Sequence, residues 1–442
     1  MFICLSTAKA AQIEALFHPY DPTLSKIAAE ITSAKESIDI AMYNLDSYHS
    51  NPVVKALSSQ TVQDRIDAGD LKIRMIYEGY SGYKAAYEKS LFFESLGVDV
   101  RWLASSKKVH HKFALMDAHL PHGMLVSGSA NWSLNSRNNY NENILFIKES
   151  PAIFQNFKNE FELLWEASQE FGFKDDYFAF GNDFNLWNAD VLSAHFNSDN
   201  FVFDGHKVSK NKAAPGYTLT RLVSKAIDEA NDSLKIATTR IMLRPIYNAI
   251  VKAAKRGVQI EMIVSMEQYS YEKIRQNWTL TPCESPYAKS CSTSINFAHF
   301  LDIADFAGSE NIRVRLKFYN FNPRAFLSQQ MHSKYMIVDN RKIYSGSFNW
   351  SYSAEYYNFA NVIVIDGKVF PKPLASFQED FHRIYNLGRM EFNHFRSNLD
   401  KALANGSTID CRFLPASLSY DEIDSFLSMG VKHGKPLKDG CD

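Results

Sequence analysis

The chain has 442 residues, of which 45% are hydrophobic and 22% are charged, a composition that is ordinary for a soluble globular protein and excludes wholesale disorder. Its 48 Lys and Arg residues and 49 Asp and Glu residues give a formal net charge of -1, which argues against a general polyanion binder but allows a local basic pocket. No apolar run approaches the roughly 20 residues of a membrane-spanning helix.

The N-terminus is predicted to be the remnant of a secretory signal. Residues 1–7 are mostly apolar or small, and Ala8, Lys9 and Ala10 fit an A-x-A cleavage pattern, although the basic start is absent and the apolar stretch is short. We therefore expect residues 1–11 to be a signal-peptide remnant and the protein to be secreted or periplasmic. The alternative is a frayed N-terminus of a protein that is not exported.

The rest of the chain indicates a duplicated α/β domain. Residues 31–41 (ITSAKESIDIA) and 227–237 (IDEANDSLKIA) both predict the end of an amphipathic helix followed by a buried strand. Residues 71–76 (LKIRMI) and 258–263 (VQIEMI) predict the next strand of each half. This order predicts a mixed β-sheet flanked by helices in each of two lobes, related by pseudo-twofold symmetry. The expected divisions are a first domain at 12–170, an aromatic and Asn-rich linker at 171–216, a second domain at 217–390 and a C-terminal tail at 391–442.

Each half carries the same two-part motif. H-x-K-x-x-x-x-D begins at His110 and at His332, and G-S-x-N-W-S follows at Gly128 and at Gly346. One copy is a weak signal, but two copies with the same downstream tag are not a chance match. The polar residues that the motifs supply are His110, Lys112, Asp117, Ser129 and Asn131 in the first half, and His332, Lys334, Asp339, Ser347 and Asn349 in the second.

The paired motif predicts a phosphate site. Side chains alternate along a strand, so the His and the Lys of each motif share a face, and the two faces meet if the halves pack symmetrically. Two imidazoles and two ammonium groups then surround one pocket, which suits an anion with several oxygens. The expected phosphate ligands are Ser129, Asn131, Ser347 and Asn349, and the odd spacing of Asp117 and Asp339 from the lysines gives these two a structural role.

The two imidazoles are predicted to divide the chemistry. One attacks phosphorus and forms a phosphohistidine, while the other protonates the leaving alkoxide and then activates the water or alcohol that releases the intermediate. No cluster of Asp, Glu or Cys in the motifs would hold Mg²⁺ or Zn²⁺, so no metal and no other cofactor is expected.

The duplicated motif resembles the signature of the phospholipase D superfamily, over roughly residues 12–170 and 217–386. The resemblance implies a two-lobed α/β fold, metal-independent phosphodiester cleavage and a phosphohistidine intermediate. It implies a catalytic set of His110, Lys112, Asn131, His332, Lys334 and Asn349.

The segment 129–143 is also similar to the bacterial endonuclease and mitochondrial cardiolipin hydrolase branch, in which a Glu after the G-S pair orients the motif His. Glu142 stands at that position, and Ala360 stands at the corresponding position of the second half. We therefore expect Glu142 to orient His110, His110 to be the nucleophile and His332 to be the general acid and base. Glu355 is a candidate substitute for the missing carboxylate.

The sequence leaves the class of substrate undecided. Neutral charge, abundant aromatic residues and export favour a phospholipid, to be hydrolysed or transferred. The resemblance of segment 129–143, together with Lys107 and Lys108 before the first motif, favours a nuclease as the alternative. A non-catalytic phosphate-binding relative is a third class. One chain carries both motifs, so a monomer suffices for one site.

The cysteines bear on the compartment. Cys4 would leave with the signal, and the four that remain form two sequence-local pairs. In an oxidising compartment both pairs are expected to be disulfides, and in a cytosolic protein all four would be free thiols. The pairs are Cys283 with Cys291, and Cys411 with Cys441, the second of which would pin the C-terminal tail.

Overall fold

Each half of the chain folds as a helix-flanked β-sheet. The computed structural model describes residues 11–78, 84–103, 106–170, 191–268, 311–318, 329–405 and 415–432. The elements of the first half are β1 (Gln12–His18), α1 (Thr23–Ser33), β2 (Ser37–Met42), α2 (Pro52–Leu57), α3 (Gln60–Asp67), β3 (Lys72–Tyr77), α4 (Lys84–Ser95), β4 (Val98–Leu103), β5 (Lys108–Val109), β6 (Lys112–Met116), β7 (Met124–Gly128), α5 (Leu134–Asn139), β8 (Glu142–Lys148), α6 (Pro151–Glu166) and β9 (Ser168–Glu170).

The second half repeats this order with additions. Its described elements are β10 (Leu192–Phe196), β11 (Phe201–Asp204), β12 (Lys207–Lys210), α7 (Thr218–Asp228), β13 (Ser233–Thr238), α8 (Arg244–Lys255), β14 (Gln259–Ser265), β15 (Ile312–Phe318), β16 (Lys334–Val338), β17 (Lys342–Gly346), α9 (Tyr352–Tyr356), β18 (Asn358–Phe359), β19 (Asn361–Asp366), α10 (Pro371–Tyr385), α11 (Arg389–Ala404), β20 (Ala416–Leu418) and α12 (Tyr420–Lys432).

The two large sheets have the same topology. Their strand orders are β1-β8-β7-β6-β2-β3-β4-β9 and β10-β19-β17-β16-β13-β14-β15-β20, with eight strands in each. In each sheet three strands run parallel, β2 to β4 and β13 to β15, and the remaining described pairs are antiparallel. The predicted fold of two lobes, each a mixed sheet flanked by helices, is confirmed.

Helices α6 and α10 lie between the two sheets and make the core that the lobes share. Phe113 of β6 packs edge-on against Phe157 of α6 at 4.9 Å between ring centroids, and Tyr335 of β16 packs likewise against Phe377 of α10 at 4.9 Å. Residues of both sheets and both helices belong to this one buried cluster. The outer face of the first sheet is covered by α1 to α4, and that of the second by α7, α8, α11 and α12. The shared core fixes the position of one motif relative to the other.

The second lobe is longer than the sequence predicted. Strand β10 pairs with β19, so this sheet begins inside the segment 171–216 that was expected to be a linker. At the other end β20 pairs with β15, so part of the expected tail is also a strand of the second sheet. The signal-peptide prediction for residues 1–10 and both disulfide predictions lie outside the described residues. No helix within the described ranges is long and apolar enough to cross a membrane.

Candidate functional site

Both motifs lie at corresponding ends of central strands. His110 precedes β6, which lies between β2 and β7, and His332 precedes β16, which lies between β13 and β17. The glycine of each G-S pair ends the next strand, where a Cβ on Gly128 would collide with the carbonyl of Asn143 and one on Gly346 with that of Asn361. Glycine is therefore required there by the close approach of two backbones.

Each motif histidine is held by the backbone of the opposite lobe. The N–H of His110 donates to the carbonyl of Phe359 at 3.0 Å, and the N–H of His332 donates to the carbonyl of Asn141 at 2.9 Å. The short parallel pairing of β5 with β18 continues the first contact. These matched contacts bring the two halves of the motif pair to one site, as the sequence predicted from symmetry.

The carboxylate of Glu142 orients His332, and the prediction that it orients His110 is wrong. Glu142 forms a hydrogen bond to Nδ1 of His332. Nδ1 of His110 instead donates to the backbone carbonyl of Ser347 at 3.0 Å, and Nε2 of His110 lies 3.4 Å from the side-chain nitrogen of Asn349. Each motif histidine is therefore oriented by a residue of the opposite lobe, and an alignment of one half with the other does not reveal this.

Glu355 does not replace the missing carboxylate near His110. Its side chain is fully buried and accepts hydrogen bonds from the N–H groups of Leu219 and Thr220, at 3.1 and 3.0 Å, in the first turn of α7. A carboxylate at a helix N-terminus satisfies otherwise unpaired N–H donors. Glu355 thus has a structural role, and Ala360, also fully buried, leaves His110 with a neutral partner.

The two lysines fold back onto their own motifs. Nζ of Lys112 donates to the carbonyl of His110 at 2.8 Å, and Nζ of Lys334 donates to the carbonyl of His332. The ring of Tyr43 lies 4.8 Å from Nζ of Lys112 and 4.8 Å from the centroid of the His110 ring. Both ammonium groups are thereby fixed beside the imidazoles.

Burial, together with neighbouring positive charge, lowers the pKa values of the basic groups of the site. Burial and the neighbouring lysines lower the pKa of His110 well below its usual value and that of His332 to about 4. Burial likewise lowers the pKa of Lys112, and lowers that of Lys334 to about 7. Glu142 is also buried, yet His332, His18 and Lys334 hold the pKa of this carboxyl below its ordinary value. Among the described residues, the carboxylates of Glu142 and Glu78 act on these four basic groups, so the site is short of negative charge, which a bound phosphodiester would supply.

The serine hydroxyls of the G-S pairs are engaged within their own lobes. Oγ of Ser129 accepts from the N–H of Asn143 at 3.0 Å, and Oγ of Ser347 accepts from the N–H of Asn361 at 3.1 Å. Both serines are fully buried. These contacts do not support the prediction that Ser129 and Ser347 bind phosphate directly; the hydroxyls clamp the strand that follows each motif.

Asn131 and Asn349 are better disposed toward a ligand. Each has a buried side-chain oxygen without a hydrogen-bond partner among the described residues. This oxygen is an acceptor, so the amide nitrogen is the atom that would meet an anion. The amide nitrogen of Asn349 lies beside the reactive edge of His110. An anion bound there would meet an amide donor next to the imidazole.

Asp117 and Asp339 close the far ends of the motif strands. The carboxylate of Asp117 accepts from the N–H groups of residues 35, 36 and 37 at 2.6, 2.8 and 3.0 Å. Asp339 accepts from those of residues 231, 232 and 233 at 3.1, 2.8 and 3.0 Å. Both aspartates thus fix the loop that enters β2 or β13, and neither lies at the His-Lys end of its strand.

The sequence did not identify two buried histidines near the site. His18 lies opposite Glu142 across β1 and β8, with Nδ1 3.6 Å from the Glu142 carboxylate. His111 is fully buried, with Nε2 2.9 Å from the Glu160 carboxylate. No sequence motif identifies His18. His111 could have been identified as a residue near the site, because it lies between His110 and Lys112 in the sequence. No group of three or more His, Cys, Asp or Glu in the described part of the chain could hold a metal ion.

The family model for "Cardiolipin synthase, PLD-like domain" matches residues 27–165 and 223–385. Mitochondrial cardiolipin hydrolase of Danio rerio is 29% identical over 152 residues, 34% of this chain and 60% of that protein. The Homo sapiens protein of the same name is 26% identical over 146 residues, 33% of this chain and 52% of that protein. The chain therefore spans less than two thirds of the length of these relatives.

A solved structure covers more of the chain. Phosphatidylserine synthase of Haemophilus influenzae Rd KW20 aligns with a TM-score of 0.58 and 14% identity, over 84% of this chain and 86% of that one. At this identity the likeness concerns the fold alone.

Proposed function

The chain belongs to the phospholipase D superfamily, and we propose that it is a metal-independent phosphodiesterase that hydrolyses phospholipids, or transfers their phosphatidyl group, through a phosphohistidine. The observation that carries the proposal is the pair of imidazoles, buried His110 and partly buried His332, each held at Nδ1 beside Lys112 and Lys334. Holding Nδ1 directs Nε2 of each ring toward a substrate.

In the first step Nε2 of one imidazole attacks phosphorus and the bond from phosphorus to the leaving oxygen breaks. The other imidazole gives its Nε2 proton to that oxygen, so an alcohol departs. Lys112, Lys334 and the amides of Asn131 and Asn349 donate to the non-bridging oxygens. The bound anion offsets the repulsion among the cations, so an imidazole whose pKa is low in the empty pocket can carry the proton it must deliver.

In the second step the neutral imidazole takes a proton from water, and the hydroxide oxygen attacks phosphorus. The bond between phosphorus and Nε2 then breaks, which restores both histidines. Replacing water by an alcohol gives transfer by the same route.

The Glu142 contact leads us to propose His332 as the nucleophile and His110 as the acid and base, the reverse of the sequence prediction. A phosphohistidine keeps a positive ring for its whole lifetime, and an adjacent carboxylate stabilises that charge. The acid and base must instead lose and regain a proton, which a neutral carbonyl partner allows. Glu142 is bonded to His332, and His110 has only the Ser347 carbonyl at Nδ1.

The names of the cardiolipin hydrolases support the phospholipid part of the proposal. A nuclease is the second candidate, because Lys107 and exposed Lys108 immediately precede the first motif and would attract a polyanion. Export, with a secreted or periplasmic location, is a further proposal that depends on the composition of residues 1–10.

One substrate panel tests the proposal. Purified protein is assayed in EDTA on phosphatidylcholine vesicles, cardiolipin vesicles and single-stranded DNA, with His110→Ala and His332→Ala as inactive variants. His119→Ala, a histidine paired at the surface with Glu36, is the matched control. We expect lipid cleavage by the wild type and the control only. Cleavage of DNA alone would establish the nuclease, and activity that survives in either motif variant would contradict the two-histidine mechanism.

A further inference from the structure

Among the connections that are described throughout, the one between the first strand and the first long helix of each lobe differs most in length. Residues 19–22 join β1 to α1 in the first lobe, whereas residues 197–217 join β10 to α7 at the equivalent place in the second. The longer connection contains a 3₁₀ turn (Ser198–Asn200) and the hairpin of β11 and β12. Because the sheets otherwise correspond strand for strand, this hairpin is an addition to one lobe.

The added hairpin is anchored next to the catalytic pocket. Asn197 donates from its amide to the carbonyl of Asn358 at 2.7 Å and accepts from the N–H of Ala360 at 2.8 Å. Phe201 and Phe203 pack on the ring of Phe359, at 4.7 and 5.7 Å between centroids. Phe359 is the residue whose carbonyl holds the backbone of His110. The hairpin therefore forms a fixed rim on the His110 side of the site.

The rim is basic, although the chain as a whole is nearly neutral. We define the basic lip as residues 106–108, 197–212 and 352–357. The lip has three carboxylates against five lysines: exposed Asp199 and Asp204, and buried Glu355, which caps α7. The formal net charge of the whole chain is -1. The five lysines of the lip, four exposed and one half-buried, are Lys107, Lys108, Lys207, Lys210 and Lys212.

Tyrosines support these lysines. Nζ of Lys210 lies 4.0 Å from the ring centroid of Tyr356, and Nζ of Lys107 lies 4.3 Å from that of Tyr357. Tyr357 is 43% exposed, and Val202 of the hairpin is 45% exposed. Lysine and tyrosine side chains combine an apolar body with a polar tip, a combination suited to a lipid headgroup layer.

We propose that the basic lip docks the protein on anionic phospholipid headgroups and so brings the His110 side of the pocket to a bilayer surface. The inference rests on the proposed phospholipid substrate. Clustered lysines are attracted to anionic lipid. A single-stranded nucleic acid is bound through open aromatic faces, whereas the rings of Tyr356 and Tyr357 each carry an ammonium group.

The test compares two triple variants of the full chain. The first is Lys207→Ala/Lys210→Ala/Lys212→Ala in the lip. The second, with the same change in charge, is Lys225→Ala/Lys252→Ala/Lys255→Ala on exposed positions of α7 and α8. Binding is measured by flotation with vesicles of equal parts phosphatidylcholine and phosphatidylglycerol, and turnover with a soluble phosphodiester, bis(p-nitrophenyl) phosphate.

We expect the lip variant to lose vesicle affinity by a factor of roughly 10 to 100, with turnover of the soluble diester unchanged. Arginine at the three lip positions should restore binding, and added salt should weaken wild-type binding. Vesicle binding by the lip variant equal to that of the wild type or the α7–α8 control overturns the proposal, as does a loss confined to single-stranded DNA binding. The vesicle measurement does not depend on turnover, so the two proposals can fail separately. Failure of the wild type to cleave any diester would contradict the proposed function and not the docking proposal.

Discussion

Glu142 of the first lobe holds Nδ1 of His332 in the second, and among the described residues no carboxylate holds His110 in return. The backbone contacts that position each motif histidine are nevertheless matched between the lobes. The difference arises at a single pair of equivalent positions, Glu142 and Ala360. One gene duplication has thus produced a site with one imidazole beside a charge and one beside a neutral carbonyl, and the proposed division of labour follows from that difference.

Glu142→Gln should keep the fold and lower turnover by roughly 10²–10⁴. An amide can hold the His332 ring but cannot offset the charge that develops on it. The measurement is kcat and KM on the best substrate of the panel, with a loss expected in kcat. Glu355→Gln is the matched control, a buried carboxylate that caps α7, and it should lower the melting temperature while the folded enzyme keeps its kcat. Wild-type kcat in Glu142→Gln would show that the carboxylate has no part in the chemistry.

His18→Gln should weaken the contact of Glu142 with His332, because His18 lies on the other side of the Glu142 carboxylate. His18 lies 3.6 Å from the Glu142 oxygen that does not face His332, and Ser136 bonds that oxygen as well. Loss of the imidazole removes one group that keeps Glu142 ionised, so we expect a smaller fall in kcat than for Glu142→Gln and a shift of the acidic limb of the pH profile to higher pH. An unshifted pH profile with a lowered melting temperature would mean that His18 acts only in packing.

Lys334 should make stability depend on pH in a defined direction. Burial lowers its folded-state pKa to about 7 from an ordinary value of 10.5. Between these values the unfolded chain binds more protons than the folded one, so the contribution of this group to the free energy of unfolding rises with pH. The free energy of unfolding of the wild type minus that of Lys334→Met, from urea titrations, should therefore increase from about pH 7 to about pH 10. A difference that stays flat or falls would contradict a buried lysine of lowered pKa.

Asp117→Asn should destabilise the first lobe without changing the chemistry. The carboxylate accepts hydrogen bonds from three consecutive backbone N–H groups. An amide oxygen is a weaker acceptor, and its NH₂ group would meet one of the donors, so a cost of about 1–3 kcal/mol in the free energy of unfolding is expected. Chemical denaturation measures this cost, and kcat per folded molecule should equal that of the wild type. A large loss of kcat at unchanged stability would place Asp117 in the catalytic machinery instead.

The sequence predicted the features that repeat in the two lobes, but it did not predict the contacts that pass from one lobe to the other. The duplicated motif gave the lobe count, the sheet type and the meeting of His110 with His332, because alternation along a strand and twofold packing are both readable from spacing. The partner of Glu142 was not readable, since it depends on the contact of Asn141 with the opposite lobe, a relation between residues far apart in sequence. The hairpin of β11 and β12 was missed for a similar reason. Its strands are short, and the composition of the segment is that of a linker.

The two cysteine pairs stay a prediction of the sequence. Cys283 with Cys291, and Cys411 with Cys441, should be disulfides in protein from an oxidising compartment. Thiol counting under denaturing conditions should find none of these four reactive in exported protein. Four reactive thiols would contradict both the pairing and the proposed export.

The most direct test of the account is the position of the phosphate in the trapped intermediate. His110→Ala is mixed with a phosphodiester whose leaving group departs without protonation, quenched in alkali and mapped by mass spectrometry. We expect a phosphoryl adduct on His332, which forms but is released slowly because the base that activates water is gone. His332→Ala should give no adduct under the same conditions. An adduct on His110 in His332→Ala, with His332 unmodified in His110→Ala, would contradict the assignment of the nucleophile from the Glu142 contact.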